Sequence, residues 1–294
     1  MTRFQPTTSP SGAGVPCSGP APTRRLLLAG LPLLAGPARA MQTMPLRLGG
    51  SGMGLAITRM LLDLDGRAGE ALGITVLSSL GTSGGLAALS GGRIDLAVVS
   101  RDLSPAEISA GLAALPFART PIGFATRQDT PVDAVTTAQA AALLAGGTRE
   151  WSQGVPVRLV RRDRSETDWI RAGLSSPILA EAMERAHDRP GLAVAVSDQD
   201  NADLLERLPG SFGLTTLGQT LSEYRGLRLL PLDGVAPEVA ALQSGRYRMA
   251  RSIRLAWRRD APPWVTEFVG FLATPQAGRT LLEFGFEPLT GLRQ

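Results

Sequence analysis

The spacing of apolar positions changes in a regular way along the chain. Leu46-Arg47-Leu48-Gly49-Gly50 has the pattern of a short strand, and Ser51-Gly52-Met53-Gly54 that of a turn. From Leu55 to Leu64 the apolar residues recur at helical spacing. Ile74-Thr75-Val76-Leu77-Ser78 is rich in β-branched residues and predicts a second strand. Gly81-Thr82-Ser83-Gly84-Gly85 then predicts a turn into a helix over Leu86 to Leu89. Ile94 to Val99 is a nearly continuous apolar strand ending in Ser100-Arg101-Asp102. The succession of strand, small-residue turn and helix predicts an α/β fold with a largely parallel sheet. In such a sheet, ligands bind in the crevice beyond the carboxyl ends of the strands.

Leu115 to Ala125 is a long extended stretch, suited to a chain crossing between two lobes. Thr136 to Leu144 has a helical pattern stopped by Gly146-Gly147, and Val157 to Val160 is strand-like. Two more helices are predicted over Pro177 to His187 and Gln199 to Leu208, followed by a glycine-flanked strand over residues 210–216. Arg251 to Trp257 alternates and suits a second crossing beside the first. Amphipathic helices over Pro263 to Leu272 and Gln276 to Phe284 are expected to close the first lobe.

Composition narrows the chemistry. Residues 1–22 contain no acid; Arg24-Arg25, an apolar run from Leu26 to Gly36, and Ala38-Arg39-Ala40 follow. That order predicts an export signal over residues 1–40, with a twin arginine and cleavage before Met41. The segment carries Arg3, Arg24, Arg25 and Arg39, so the formal charge of +4 falls to zero without it. Nothing then argues for a nucleic-acid partner. The single cysteine, Cys17, lies within the segment, which leaves no disulfide or thiol nucleophile beyond it. His187 is the single histidine, placed by the pattern on a solvated turn, and every basic side chain is arginine. A histidine-rich metal site, a Schiff-base lysine and a lysine-containing phosphate loop are all excluded.

The candidate chemistry lies in Arg161, Asp163, Ser165 and Thr167, at a strand end running into a helix start. Ser165 and Asp168 have capping-box spacing ahead of the apolar run from Trp169. A helix start presents unpaired N–H groups at the positive end of the macrodipole. A neighbouring arginine makes it a candidate oxyanion seat. The alternative is a capped helix on a charged surface.

The ordered set of motifs resembles the phosphate-binding proteins of bacterial ABC uptake systems, over about residues 45–290. The motifs are the Gly81–Gly85 turn, the Gly92–Asp95 strand leading to Ser100 and Asp102, the stretch from Phe117 to Ala125, Phe212-Gly213-Leu214, Tyr247 to Arg251, and Thr274 to Gly278. The resemblance implies a type II bilobal periplasmic binding-protein fold, with two α/β lobes joined by two crossing hinge strands. Lobe 1 would comprise residues 44–121 and 251–294, and lobe 2 residues 122–250. It further implies a monomeric, non-enzymatic receptor in the periplasm, without cofactor or metal, that delivers phosphate to an ABC permease in the inner membrane.

Carried onto this chain, the resemblance places Ser51 and Met53 in the first anion-facing turn, and Thr82 and Ser83 in the second. Asp102 would accept the proton of bound phosphate, and Arg161 would be the bidentate donor, with Ser165 and Thr167 at the second lobe's helix start. Arg162 would face away. The family's turn commonly reads Arg-x-Asp-Gly-Ser-Gly-Thr, whereas Arg164 and Glu166 replace both glycines here. Glu166 beside an oxyanion costs binding unless it faces solvent or pairs with Arg162 or Arg164. Other readings are a receptor for molybdate, tungstate or sulfate, a phosphate sensor without a transport role, and an exported hydrolase using Asp95, Asp102 and Asp163 as metal ligands.

Overall fold

The computed structural model describes residues 45–66 and 73–289, so the expected export signal lies outside the described residues. Lobe 1 begins with β1 (Leu46–Gly50), α1 (Leu55–Asp65), β2 (Ile74–Val76), α2 (Gly81–Ser90) and β3 (Leu96–Val99). A short helix α3 (Pro105–Ser109) leads into the 16-residue strand β4 (Leu112–Arg127), the first crossing.

Lobe 2 contains α4 (Thr137–Ala145), β5 (Arg158–Arg161), α5 (Thr167–Ser175), α6 (Pro177–Asp188) and β6 (Ala193–Val194). It continues with α7 (Asp198–Arg207), β7 (Ser211–Thr216), α8 (Leu217–Ser222), β8 (Leu227–Leu229) and α9 (Val239–Gln243). The chain returns along β9 (Ala250–Arg258) to α10 (Pro263–Phe271), α11 (Pro275–Glu283) and β10 (Glu287–Pro288).

Strand order is β2-β1-β3-β9-β4-β7-β5-β6, with β8 and β10 also paired on β4. Within each lobe β1, β2 and β3, and β5, β6 and β7, pair in parallel. The crossing strands β4 and β9 pair antiparallel with each other from Leu112↔Arg258 to Pro121↔Ala250. The register shifts between Pro116 and Ala118, beside a proline that has no N–H for the ladder. The expectation of a largely parallel sheet therefore holds for β1–β3 and β5–β7 and fails wherever a crossing strand pairs, because β9 with β3 and β4 with β7, β8, β9 and β10 are all antiparallel.

Two large cores flank the hinge. Leu48, Ile57, Leu62, Phe117, Ile253, Phe268 and Leu281 belong to one, so the C-terminal helices return to the first lobe. Ile122, Phe124, Leu144, Trp169, Leu179 and Phe212 belong to the other. Phe124 stacks on Phe212 at 5.1 Å between ring centroids. Buried Tyr247 donates to the Ile122 carbonyl at 2.7 Å, which ties the motif before β9 to the first crossing strand.

Local signals explain most element ends. Thr136 caps α4 in a reciprocal box with Gln139, and Gly146 ends it at φ 81°. The Gly81–Gly85 stretch lies inside α2 rather than in a turn before it. The reason is close packing: a Cβ on Gly85 would stand 2.6 Å from the Gly50 Cα. Gly50 is itself held at φ +109°, where a Cβ would meet the Val98 carbonyl oxygen at 2.2 Å. This approach lets Ser51 N–H bond the Val98 carbonyl at 2.8 Å and aims the next turn toward lobe 2.

Candidate functional site

The lobes meet where the amino ends of α1, α5 and α7 converge on the start of β9. Arg251, 4% exposed, is the hub. Its Nη1 lies 3.1 Å from Glu166 Oε1, 3.2 Å from Asp168 Oδ2 and 3.2 Å from Asp198 Oδ1. Its Nη2 donates to Ser51 Oγ at 2.8 Å and Ser100 Oγ at 3.3 Å. Arg162, also buried, lies 3.5 Å from Asp198 Oδ1 and 3.7 Å from Glu166 Oε1, and donates to the Ser197 carbonyl.

Two carboxylates share these guanidiniums in the same manner. Asp198 Oδ2 accepts from Ser51 Oγ at 3.2 Å and Met53 N–H at 3.0 Å, while its Oδ1 faces both arginines. Glu166 Oε2 accepts from the first-turn amides of Asp168 at 2.8 Å and Trp169 at 3.2 Å, while its Oε1 faces both arginines. Each helix start thus holds an anion, as the macrodipole favours, and the anion is a side chain of the protein.

Three carboxylates against two guanidiniums leave one excess negative charge. Asp198 keeps its charge: despite burial, Arg251, Arg162, Met53 N–H and Ser51 hold its carboxyl below the usual range. Asp168 has fewer donors, and its Oδ1 has no partner. Burial pushes Asp168 up to about 7, with Arg251 opposing and Glu166 and Asp198 adding to the rise. The excess charge is relieved by a proton on Asp168.

This proton makes stability depend on pH. Between about pH 4 and pH 7 the unfolded chain has released it and the folded protein retains it, so stability falls as pH rises and levels off above about 7. Asp168→Asn removes that component. From pH 5 to 7.5, wild type is expected to lose on the order of 2 kcal/mol more than the variant in urea denaturation. Equal losses would place the titrating group elsewhere.

Of the sequence candidates, Ser51 and the Met53 amide reach the site. Thr82 stands one step behind: its hydroxyl shares a 2.8 Å bond with Ser100, which in turn accepts from Arg251. Ser83 is exposed on α2. Asp102 does not face the arginine turn; its side chain is 86% exposed and pairs with Arg254 at 2.7 Å. Ser165 is exposed and bonded to Asp163, and Thr167 is the first residue of α5. The cap of α5 is Glu166, not Ser165, because its longer side chain reaches back to two first-turn amides while also meeting the arginines.

The arginine pair is inverted relative to expectation. Arg161 Nη1 donates to His187 Nδ1 at 2.8 Å, on the α6 side of β5. Burial and the charges of Arg164 and Arg161 lower the His187 pKa, which keeps the ring a neutral acceptor. His187 is half-buried in the last turn of α6, with its ring edge-on to Trp169, rather than on a solvated turn. Leu159 shares Arg161's face and packs in the large lobe 2 core; Val160 shares Arg162's face and packs near Ala195, Ala202 and Leu205 beside α7. Alternation along the strand thus sends Arg162, not Arg161, to the lobe junction.

Sequence reading missed Arg162, Asp198 and Arg251. A signal existed for Arg251: it is in phase with buried Ile253 and Leu255 on an alternating strand, a position that buries a charge unless that charge is paired. Asp95, Asp102 and Asp163 are bound separately to Arg47, Arg254 and Ser165. Among the described residues, the carboxylates close enough to share a metal ion are instead Glu166, Asp168 and Asp198, and the two arginines among them oppose a cation.

Two α/β lobes on crossed hinge strands, with charge gathered where they meet, define a bilobal binding-protein fold. The chain matches the family described as PBP superfamily domain over residues 51–276, and it belongs to that family. It is similar to the phosphate-binding protein PstS of Borreliella burgdorferi, 25% identical over 214 residues that cover 69% of this chain and 75% of that protein. Its fold is similar to a putative phosphate ABC transporter substrate-binding protein with bound phosphate from Clostridium perfringens, with TM-score 0.67, 15% identity, and coverage of 84% of this chain and 100% of that one. It is also similar to an ABC-type phosphate transport receptor from Vibrio cholerae, with TM-score 0.55, 18% identity, and coverage of 82% and 99%.

Proposed function

We propose that the protein is an extracytoplasmic receptor that captures phosphate between its lobes and delivers it to an ABC permease of the inner membrane. One observation carries the reading: Ser51 Oγ, Met53 N–H, Arg162 and Arg251 all meet one carboxylate, that of Asp198, at the lobe junction, and so form a single anion seat. A hydroxyl, a helix-start amide and two guanidiniums are the donor set a tetrahedral oxyanion requires. The names of the similar proteins support phosphate as the ligand. The segment over residues 1–40, with its Arg24-Arg25 pair, supports export into the periplasm by the twin-arginine route. Hinge closure around the anion is the expected mechanism.

The test is isothermal titration of the purified, dialysed protein with phosphate, sulfate, molybdate and tungstate in turn. Phosphate is expected to bind at one site and more tightly than the other three. Tighter binding of another anion would reassign the ligand, and no binding of any would remove the receptor reading.

A further inference from the structure

We propose that Asp198 is a built-in competitor of the ligand: its carboxylate occupies the lobe 1 anion seat, holds the lobes together without ligand, and must be displaced for an oxyanion to enter. The competition with phosphate rests on the proposed phosphate reading; the latch itself does not.

Asp198 begins α7 of lobe 2, yet Ser51 and Met53, which bind its Oδ2, belong to lobe 1, 147 and 145 residues away in sequence. The contact therefore spans the cleft. It is buried, with Asp198 6% and Ser51 1% exposed. The carboxylate satisfies the seat as a ligand would: one oxygen takes the hydroxyl and the amide, the other takes Arg251 and Arg162. Gln199 lies so close to Gly52 that a Cβ there would meet its Oε1 at 2.1 Å, so the lobes abut at this point.

Charge rules out a ligand that merely joins the cluster. Glu166 and Asp198 already neutralise Arg162 and Arg251, with Asp168 as a third acid beside them, and a phosphate would bring one or two further negative charges into a buried site. Exchange is electrostatically feasible. Because Asp198 travels with lobe 2, opening the hinge withdraws it from Ser51 and Met53 and exposes a seat of donors. Glu166 stays with its own lobe, capping α5. The ligand's apparent affinity is then reduced by the fraction of molecules with the seat vacant. Such a receptor responds at higher ligand concentrations than one whose seat is empty, and it favours an anion with more oxygens and charge than one carboxylate.

The test combines phosphate titration with small-angle X-ray scattering on wild type, Asp198→Asn and Asp198→Ala. Asp200→Asn serves as control, because Asp200 lies in the same helix turn but its carboxylate accepts from the nearby Val196 N–H of its own lobe. Wild type is expected to be compact without phosphate and to change little on adding it. Both Asp198 variants should be more extended without phosphate, become compact with it, and bind it at least about tenfold more tightly, with the control like wild type. Equal affinity and equal dimensions in all four proteins would overturn the latch and leave the phosphate reading standing. Loss of phosphate binding in the Asp198 variants alone would make Asp198 a ligand contact and also overturn it. If no protein binds phosphate, the phosphate reading fails, and scattering alone decides the latch: extended Asp198 variants support it, and unchanged ones overturn it.

Discussion

Arg251→Met is expected to cost about 3–5 kcal/mol of folding stability, the range for removing one partner of a buried ion network. Arg251 meets Glu166, Asp168 and Asp198 of lobe 2 together, and also Ser51 and Ser100 of lobe 1. Burial by itself would lower the pKa of this guanidinium, but the three carboxylates raise it, so its charge is secured by them and theirs by it. Methionine fills similar volume while leaving three buried acids with Arg162 alone. Part of the loss should return when Asp168→Asn and Asp198→Asn are added, because these remove the repulsion that the arginine suppressed. Urea denaturation of wild type, the single variant and the triple variant measures both effects. A loss under about 1 kcal/mol, or a triple variant weaker than the single one, would show that Arg251 is not the hub of the junction.

The second large effect separates two adjacent arginines. Arg162→Ala should weaken phosphate binding by well over tenfold, the consequence of deleting one member of a desolvated charge pair. Arg161→Ala should leave the affinity within about threefold of wild type, because its guanidinium meets His187 away from the junction. Titrations of both variants at one pH and salt concentration decide the matter. The reverse order would restore the assignment drawn from the motif Arg161-Arg162-Asp163 and would contradict the face on which β5 places each side chain.

The consequences of these residues for function depend on which anion fills the seat. A conventional empty seat would make Arg162 and Arg251 pure ligand donors. Here they also hold Asp198 and Glu166, so each arginine stabilises the unliganded protein and, when Asp198 leaves, the liganded one. Glutamate in place of glycine at position 166 is accommodated for the same reason. It caps α5 and pairs with Arg162, one of the two partners expected from sequence, and with Arg251, which was not anticipated.

What the sequence by itself determined is local or periodic. The change from period two to period 3.6 marked the longer strands and helices of both lobes but not the short elements α3, α8, α9, β6, β8 and β10, and the family resemblance placed Ser51 and Met53 in an anion-facing turn. The motifs from Gly81 to Gly278, in order, were enough to identify the bilobal fold. Tertiary structure alone decided which charges meet. Arg162 and Arg161 are equivalent to any local rule, and only the packing of β5 between α6 and α7 assigns one to the cleft and the other to His187. Asp198, Glu166 and Arg251 are 32 to 85 residues apart from one another and carry no shared motif. They converge because antiparallel pairing of β4 with β9 returns the chain to the lobe junction, where burial obliges every charge to find an opposite one.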